Sequence, residues 1–181
     1  MNELIGSSFV VPDTVASHFN LMDGDVVADF GAGTGYFLKA LATRVGTGKV
    51  YACEIQKALV EKIGTQAQQL GLHNVFPLWC DLEEPQGIKI TTGAVDVGIL
   101  VNTLFQIENK ETAIKEMGRV IRSGGKFFII DWSESFDGLG PRPEHVVSIA
   151  DVTALCEANE FIYEREYPAG GHHYGLAFRK L

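Results

Sequence analysis

Short β-branched runs alternate with segments of helical apolar spacing along most of this 181-residue chain. Short apolar runs are typical of buried strands, whereas apolar residues three or four positions apart form one face of a helix. Strand-like runs lie at residues 25–30, 49–53, 74–79, 95–101 and 126–132. Three helical stripes lie between them: Leu38, Leu41 and Val45; Leu59, Ile63 and Leu70; and Ile114, Met117 and Ile121. The pattern predicts repeated strand–helix–strand units.

These units predict the fold class. Parallel strands joined by helical crossovers form an open sheet with helices on both faces, because the crossovers are right-handed. The run at residues 126–132, KFFIIDW, is apolar without alternation, as expected of a parallel strand covered on both faces. Gly46, Gly71 and the Gly124-Gly125 pair are expected to end the three helices. We therefore predict an α/β, Rossmann-like, doubly wound sheet between two helical layers.

The C-terminal part departs from this alternation. After a helix predicted near residues 152–158, strand-like runs at 161–167 and 174–179 follow each other with no helix between them. The short link through residues 168–171, which includes a proline and two glycines, allows only a hairpin-like connection. One of these two strands must therefore run antiparallel to the rest.

At the N-terminal end, residues 1–22 are predicted to be helical. Asp13 is expected to cap a short helix that carries Val15, Ala16 and Phe19. A chain of 181 residues is too short for two domains of ordinary size, so we expect one domain over residues 1–181.

Composition and charge narrow the choice of partners. Hydrophobic residues make up 46% and charged residues 21% of the chain, as in ordinary globular proteins. The net charge of −8 disfavours binding to a nucleic-acid backbone. Three cysteines without Cys-x-x-Cys spacing predict neither a disulfide framework nor a zinc site, and no metal is expected. No apolar run approaches the roughly 20 residues of a membrane span, and no secretory signal begins the chain, so a cytoplasmic location is expected.

The first predicted strand leads into a glycine turn, Asp29-Phe30-Gly31-Ala32-Gly33-Thr34-Gly35. A first glycine permits the tight turn, a second lets a ligand lie against bare backbone, and a third lets helix and strand pack closely. Dinucleotide-binding turns follow G-x-G-x-x-G, but here the third glycine comes one position early. Asp29 would repel a pyrophosphate and suit a cationic ligand. The turn therefore favours S-adenosylmethionine (SAM), which carries a sulfonium and an ammonium group, over a nicotinamide dinucleotide.

Acidic residues also follow the next two predicted strands. Glu54 can accept hydrogen bonds from both hydroxyls of a ribose, because a carboxylate has two acceptor oxygens. Asp81 can accept from an adenine amino group, with Leu82 against the ring. Ligands of open α/β sheets bind at the carboxyl ends of the strands, where these residues and Asp29 are expected to meet.

Five segments in chain order carry a family resemblance: VVADFGAGTGYF, VYACEI, CDLEEP, VDVGILVNTLFQI and VIRSGGKFFIIDW. They resemble the successive motifs of class I SAM-dependent methyltransferases, and most closely the small ubiquinone/menaquinone-biosynthesis type. The resemblance covers the chain from about residue 23 to the C-terminus. It implies SAM as the cofactor and a seven-stranded, mostly parallel sheet with an antiparallel last strand.

The resemblance also assigns a cofactor site, residue by residue. The positions that match the family's SAM contacts are Asp29, Gly31, Ala32, Gly33, Gly35, Glu54, Ile55, Asp81, Leu82 and Asn102. Asn102 matches a position near the sulfonium, and an ordinary turn asparagine is an equal alternative. Many relatives have His where this chain has Phe105, so an apolar wall is expected there and the substrate or the base is expected to differ.

Few residues are candidates for handling the methyl acceptor. In-line displacement from a sulfonium needs mainly alignment and the exclusion of water, so a base is optional. His172, His173 and Tyr174 begin the last predicted strand and are candidate bases, with at most one His facing the pocket. A solvated turn histidine is the alternative. His145 lies in a Gly- and Pro-rich loop at 133–148, which is either a substrate cover or a plain surface connection.

The sequence thus predicts an enzyme that transfers a methyl group from SAM to a small-molecule acceptor. An aromatic or quinone-like acceptor fits the resemblance and Phe105. The alternatives are transfer to arsenite or to a protein side chain, a non-catalytic SAM-binding partner or regulatory module, and a nicotinamide-dependent oxidoreductase. Cys53 and Cys80 would suit an arsenite site, but both end apolar strands and are expected to be buried core thiols.

Overall fold

The computed structural model describes residues 10–136 and 138–181. Within them, seven strands form one sheet: β1 Val26–Phe30, β2 Lys49–Glu54, β3 Val75–Trp79, β4 Val95–Val101, β5 Ile121–Trp132, β6 Phe161–Pro168 and β7 His173–Lys180. Their order across the sheet is β3-β2-β1-β4-β5-β7-β6. β1 to β5 pair in parallel, whereas β7 pairs antiparallel with both β5 and β6. The predicted doubly wound sheet with an antiparallel last strand is confirmed.

Helices cover both faces of this sheet. The α-helices of the described chain are α1 Pro12–Ala16, α2 Leu38–Val45, α3 Lys57–Gln69, α4 Lys110–Val120 and α5 Ile149–Glu157. Short 3₁₀ turns lie at Ser17–Phe19, Leu104–Gln106 and Pro143–His145. One apolar cluster joins the sheet to α1, α2 and α3, and a second joins its other face to α4 and α5. Burial of each large aliphatic or aromatic side chain in these clusters stabilises the fold by about 1.5–3 kcal/mol.

The N-terminal helix is shorter than predicted and is capped differently. Val11 stands at the N-cap position of α1, and Asp13 lies in the first turn, so the prediction that Asp13 caps the helix was wrong. The Asp13 carboxylate instead pairs with Arg44 of α2 at 2.9 Å. The Ser17–Phe19 turn continues the helical path, and the rest of the predicted 1–22 segment lies partly outside the described residues.

Two predicted helix ends were also misplaced. α4 ends at Val120, and Ile121, predicted to belong to the helix, begins β5 by pairing with Val95. The register between β4 and β5 then shifts, which accommodates the glycine pair at positions 124 and 125. Leu70 lies beyond the end of α3 and is 48% exposed, so the buried face of this helix ends at Ala67.

Two classes of feature are absent from residues 10–136 and 138–181. No helix there has both the length and the apolar character that crossing a bilayer requires. No cluster of three His, Cys, Asp or Glu side chains there could hold a metal ion.

Candidate cofactor site and its surroundings

A cavity of about 480 Å³ opens at the carboxyl ends of β1, β2, β3 and β4. This volume falls within the roughly 300–1,000 Å³ of small-molecule pockets. The cavity lies where the sheet order reverses between β1 and β4, the usual binding place in doubly wound sheets. Its lining contains all but one of the predicted cofactor residues: Asp29, Gly31, Ala32, Gly33, Glu54, Ile55, Asp81, Leu82 and Asn102. The exception is Gly35.

The three glycines of the turn have separate structural roles. A Cβ on Gly31 would lie 2.6 Å from Thr103 Oγ1, so the turn passes too close to β4 for any side chain. Gly33 has a φ of +55°, and nothing lies nearer than 4.0 Å to the Cβ position, which leaves its backbone bare toward the cavity. Gly35 packs against Leu38 and Gln66, within 2.6 and 3.0 Å of the Cβ position. Gly33 is therefore the glycine that leaves room for a ligand.

Glu54 fixes the turn as well as facing the cavity. Its Oε2 accepts a hydrogen bond from the Gly33 backbone N–H at 2.9 Å, and its Oε1 accepts from the Gln56 N–H at 2.8 Å. The backbone N–H groups of Gly31 and Ala32 both donate to the Cys53 carbonyl at 2.9 Å. Each carboxylate oxygen of Glu54 keeps a second lone pair, which is available to a ribose hydroxyl.

Asp29 is a buried carboxyl that has no hydrogen bond or ion pair among the described residues. It is 3% exposed at the end of β1. Burial raises the pKa of Asp29 to about 7, and the nearby Glu54 carboxylate adds to the rise. A cation that entered the cavity would favour the ionised form of Asp29 and would gain a desolvated charge–charge contact.

The lining of the cavity carries charge of one sign only. Four of the lining side chains are carboxylates, and none is Lys or Arg; the four are Asp29, Glu54, Asp81 and Glu83. Asp81 Oδ1 accepts from the Glu83 N–H at 3.0 Å, which leaves Oδ2 free of contacts with the described residues. Such a site attracts a positively charged ligand and repels pyrophosphate.

Asn102 contributes an unsatisfied acceptor to this cavity. It has a left-handed φ of +50°, and its backbone N–H donates to the Ile130 carbonyl at 2.9 Å. Its Oδ1 is buried and has no hydrogen-bond partner among the described residues. A buried unpaired acceptor costs about 1–3 kcal/mol, which a ligand N–H could recover. Asparagine tolerates this left-handed φ, so the unpaired buried oxygen is the one feature here that favours a ligand-binding role.

A clamp that the sequence did not reveal supports the wall of the cavity that carries Asp81. Glu116 of α4 is 5% exposed, and its Oε1 accepts from the Ile88 backbone N–H at 3.1 Å. Arg119 donates to Glu116 and to the carbonyls of Ile88 and Ile90, at 2.7, 2.9 and 3.2 Å. These bonds hold the connection between β3 and β4, the segment that carries Asp81. Only the spatial proximity of α4 to this connection identifies the clamp.

None of the residues predicted to handle the acceptor lines the cavity; these are Phe105, His145, His172, His173 and Tyr174. The Phe105 backbone N–H donates to the buried Asp131 Oδ2 at 3.2 Å. His145 is exposed in the Pro143–His145 turn. His172 Nδ1 lies 2.6 Å from Glu134 Oε1, outside the sheet. His173 and Tyr174 are buried at the start of β7.

The two cysteines at the strand ends touch each other in the cavity wall. Both thiols are buried, as predicted. Hydrogen bonding to Cys80 and burial raise the pKa of Cys53 well above its ordinary value, whereas the same hydrogen bond lowers the pKa of Cys80. A protonated, buried thiol is a poor ligand for a metalloid. The geometry therefore favours the prediction of core thiols.

Further lining residues escaped the sequence prediction, although all but two of them lie inside the quoted segments: Thr34, Tyr36, Phe37, Gln56, Leu59, Glu83, Val101, Thr103, Gln106 and Ile107. Thr103 and Gln106 belong to the segment VNTLFQI, so their proximity to Asn102 was the available signal. Glu83 belongs to the segment CDLEEP, directly after Asp81 and Leu82, which was a comparable signal. It lies on a turn, and its Oε2 accepts from the Asn109 N–H at the start of α4.

Comparisons with known proteins agree with this geometry. A family model described as "Methyltransferase domain" matches residues 28–129. The ubiquinone/menaquinone biosynthesis C-methyltransferase UbiE of Chromobacterium violaceum is 29% identical over 147 residues, 78% of this chain and 57% of that protein. UbiE of Burkholderia cenocepacia is 30% identical over 66% of this chain and 48% of its own length. The chain thus spans about half the length of the curated relatives it matches.

Solved structures share the fold over nearly the whole chain. A SAM-dependent methyltransferase from Aquifex aeolicus superimposes with a TM-score of 0.87 and 28% identity, covering 96% of this chain and 91% of that one. The [4+2]-cyclase SpnF superimposes with a TM-score of 0.80 at 16% identity, covering 93% of this chain and 79% of its own. At that identity the likeness to SpnF shows the fold alone.

Proposed function

Since the chain belongs to the methyltransferase domain family and uses SAM as its cofactor, we propose that it transfers the SAM methyl group to a small aromatic acceptor. The observation that carries the proposal is the cavity at the ends of β1 to β4, which has four carboxylates and no basic residue. SAM supplies a methyl group that a sulfonium activates for displacement.

The residues of the cavity fit SAM group by group. Asp29 and the bare backbone at Gly33 would hold the methionine portion, whose ammonium matches a buried carboxylate. Glu54 would accept from the ribose hydroxyls. Asp81 would accept from the adenine amino group, and Leu82 would pack on the ring. The free Oδ1 of Asn102 would accept from the ammonium or contact the sulfonium side.

The protein's own contribution to the reaction is alignment and desolvation. Fixed groups at the strand ends would hold the charged donor in one orientation, and a bound acceptor would exclude water from its sulfonium. Alignment of two reactants can lower the barrier by roughly 7–11 kcal/mol. No charged catalytic residue is required for the displacement itself.

Two observations support an aromatic acceptor. The curated relatives are ubiquinone/menaquinone biosynthesis C-methyltransferases, and ubiquinone and menaquinone contain quinone rings. In this chain, aromatic side chains cluster at the neighbouring strand ends: Trp132 and His173 with ring centroids 4.3 Å apart, and Phe136 and His172 with centroids 3.7 Å apart. A small-molecule acceptor of this class is our proposal for the substrate.

Titration calorimetry with SAM, its demethylated product S-adenosylhomocysteine (SAH) and NAD tests the site. We expect SAM and SAH to bind and NAD not to bind. The double variant Asp29→Asn with Glu54→Gln should weaken SAM by about 100-fold or more, because each removes a charge-assisted contact of about 1.5–3 kcal/mol. The variant Glu61→Gln, on the exposed side of α3, is the matched control.

Activity is tested by transfer of a radiolabelled methyl group from SAM into a cell extract, with identification of the labelled product. A labelled small aromatic compound is the expected result. SAM binding without transfer to any compound would favour a non-catalytic module. Unchanged SAM affinity in the double variant would overturn the site.

A further inference from the structure

One wall of the cofactor cavity is formed by the short segment that follows β4. Its lining residues are Val101, Asn102, Thr103, Gln106 and Ile107. Within this segment, Leu104–Gln106 form a single 3₁₀ turn, and neither Leu104 nor Phe105 is part of the lining. A lone 3₁₀ turn has few hydrogen bonds of its own, so its position depends on contacts with neighbouring elements.

Asp131, near the end of β5, supplies such a contact from inside the fold. It is 1% exposed, and its Oδ2 accepts from the Phe105 backbone N–H at 3.2 Å. The Leu104 N–H contributes a further hydrogen bond to the same carboxyl group. Oδ1 accepts from the Trp132 backbone N–H at 2.8 Å. One side chain therefore joins the end of β5 to the first two N–H groups of the turn.

Two further bonds connect the turn to the residues that line the cavity. Gln106 Nε2 donates to the Asn102 carbonyl at 3.0 Å, across the turn. The Lys110 ammonium, at the start of α4, donates to the Ile107 carbonyl. The buried Oδ1 of Asn102, which has no partner among the described residues, lies in this bonded segment. A displacement of the turn at Phe105 would therefore displace the polar groups that face the cavity.

Asp131 is the group in these surroundings that changes charge near neutral pH. Lys110 of α4 and Tyr174 of β7 face it, and Cys156 of α5 lies beside Tyr174. Burial raises the pKa of Tyr174 and that of Cys156, so both stay protonated. Burial also raises the pKa of Asp131 from 3.8 to about 6, while its N–H donors and the Lys110 ammonium limit the rise.

Protonation of Asp131 would weaken its contact with the turn. A carboxylate has two oxygens that only accept, whereas a carboxylic acid replaces part of this capacity with an O–H donor. Hydrogen bonds to an ionised acceptor are also roughly twice as strong as bonds to a neutral one. The turn is therefore held firmly above the pKa of Asp131 and less firmly below it.

We propose, resting on the cofactor site of the proposed function, that Asp131 is a positioning residue whose ionised carboxylate holds the 104–106 turn so that Asn102 and Gln106 contact bound SAM. Asp131 lies outside the cavity lining and acts only through the turn. When only a fraction of the protein has its turn in the binding position, the apparent SAM affinity falls by that fraction. The affinity should therefore decrease as the pH falls through the pKa of Asp131.

Calorimetric titration of the wild type and Asp131→Asn with SAM, between about pH 5 and pH 8, tests the proposal. Asparagine is uncharged and has one acceptor oxygen, so it imitates the protonated acid. At the upper pH the variant should bind SAM about three- to tenfold more weakly, and at the lower pH within about twofold of the wild type. Asp29 titrates in the same range, but both proteins contain it, so its effect cancels in the ratio of the two affinities.

Asp96→Asn is the matched control. The Asp96 carboxylate also accepts from a backbone N–H, that of Val26 at 2.9 Å, but Asp96 lies at the other end of β4. This variant should bind SAM as the wild type does at every pH. A purely structural role of Asp131 would lower SAM affinity by the same factor at every pH. Such a constant factor, or no loss at the upper pH, would overturn the proposal.

A measurement on the wild type decides the question if Asp131→Asn does not fold. The ¹H–¹⁵N resonance of the Phe105 amide reports the charge of its acceptor. It should titrate with a midpoint near pH 6 in the ligand-free protein. Because coupling is reciprocal, the midpoint should move to lower pH when SAM is bound. The Val26 amide, bonded to Asp96, should respond to pH in the same way with and without SAM.

The outcomes separate this proposal from the one on which it rests. If SAM binds but the Phe105 midpoint is the same in both states, or if the affinity ratio does not depend on pH, the role of Asp131 is overturned and the methyltransferase proposal stands. If SAM fails to bind the wild type at every pH, both are overturned.

Discussion

The carboxyl edge of the sheet has two halves with opposite chemistry. The cofactor half, at the ends of β1 to β4, presents carboxylates that include Asp29 and Glu54 and has no basic residue in its cavity. The half that we propose for the acceptor, at the ends of β5 and β7, presents aromatic rings such as Trp132 and the His173 Nε2 atom, which is unpaired among the described residues; its Glu134 carboxylate already pairs with His172. In the cofactor half, a buried carboxyl lowers the stability of the fold until a cation binds. In the acceptor half, a buried nitrogen has no hydrogen-bond partner among the described residues.

This difference indicates how the two ligands are distinguished. Charge recognises the cofactor at long range, because a focused negative field raises the local concentration of a cation. The acceptor half offers no such field. Its selectivity must come from shape and from one or two hydrogen bonds, which are short-range. A variant that disrupts ligand binding at one half should therefore leave binding at the other half unchanged.

The largest effect is expected from a side chain placed where the cofactor should touch bare backbone. Gly33→Val fills the open space above the turn, and we expect SAM affinity to fall by more than about 100-fold through steric exclusion. Titration calorimetry with SAM measures the loss. Gly71→Val is the matched control, since Gly71 also has a positive φ, +66°, and nothing lies within 4 Å of its Cβ position.

Both substitutions should destabilise the fold alike, by about 1–2 kcal/mol, because an L-residue is strained at positive φ. Only Gly33→Val should affect SAM. Equal SAM affinity in the two variants would show that the cofactor does not approach the turn.

The buried Asp29 carboxyl in the cofactor half should lower the stability of the ligand-free fold at neutral and higher pH. The pKa of Asp29 is raised from 3.8 to about 7, so the folded, ligand-free protein holds this proton more tightly than the unfolded chain does. The unfolded chain loses the proton first, and stability therefore falls as the pH rises from about 4 to 7. Asp29→Asn removes this cost. Its free energy of unfolding should exceed that of the wild type by roughly 2–4 kcal/mol at pH 8.

Urea unfolding at several pH values measures this difference, which should shrink as the pH falls toward 4. Glu61→Gln should show no such trend. A wild type more stable than Asp29→Asn at pH 8 without ligand would contradict the unfavourable burial of this carboxylate. The same variant should bind SAM more weakly, so stability and binding should move in opposite directions.

The two halves also differ in how much the sequence could predict. The glycine turn and Asp29 are contiguous, so local conformation and charge were enough to place them. The bond from Gly33 to Glu54 spans 21 residues, and the bond from Phe105 to Asp131 spans 26. Such contacts depend on strand order and register, which a one-dimensional pattern does not contain.

The choice between the adjacent histidines at the start of β7 illustrates the same limit. Alternation showed that at most one of them could face the pocket. The structure places neither ring in the cavity lining, and a left-handed residue at 172 makes His173 the first residue of β7. The fold class and the cofactor, by contrast, followed from repeated features and from the ordered motifs, and both are confirmed.

A smaller effect is expected from the clamp of Glu116 and Arg119, which supports the cavity wall that carries Asp81. Arg119→Met removes donors to the Ile88 and Ile90 carbonyls and leaves the buried Glu116 carboxylate with less compensation. We expect a loss of about 2–3 kcal/mol in the free energy of unfolding. SAM affinity should fall by about three- to tenfold, because the segment that carries Asp81 loosens. Urea unfolding and calorimetry measure the two effects.

Adding Glu116→Gln to Arg119→Met should recover part of the stability, since it removes the uncompensated charge. Binding of 4-nitrophenol, a small aromatic probe of the acceptor half, to the SAH-saturated double variant should stay near the wild-type value. A loss of probe binding larger than the loss of SAM affinity would show that the clamp supports the acceptor half instead.

The smallest effect is expected at the boundary between the halves, position 105. Phe105 contacts Asp131 through its backbone N–H, and its side chain is not part of the cavity lining. Phe105→His keeps the backbone bond, so the free energy of unfolding should change by no more than about 1 kcal/mol. SAM affinity should stay within about twofold of the wild type, because no cavity contact is lost. Calorimetry with SAM and with 4-nitrophenol in the presence of SAH locates the residue: a change confined to the probe places Phe105 in the acceptor half. A change in SAM affinity above fivefold would instead show that the cofactor site extends beyond Asn102 to position 105, and the boundary between the two halves would then lie elsewhere.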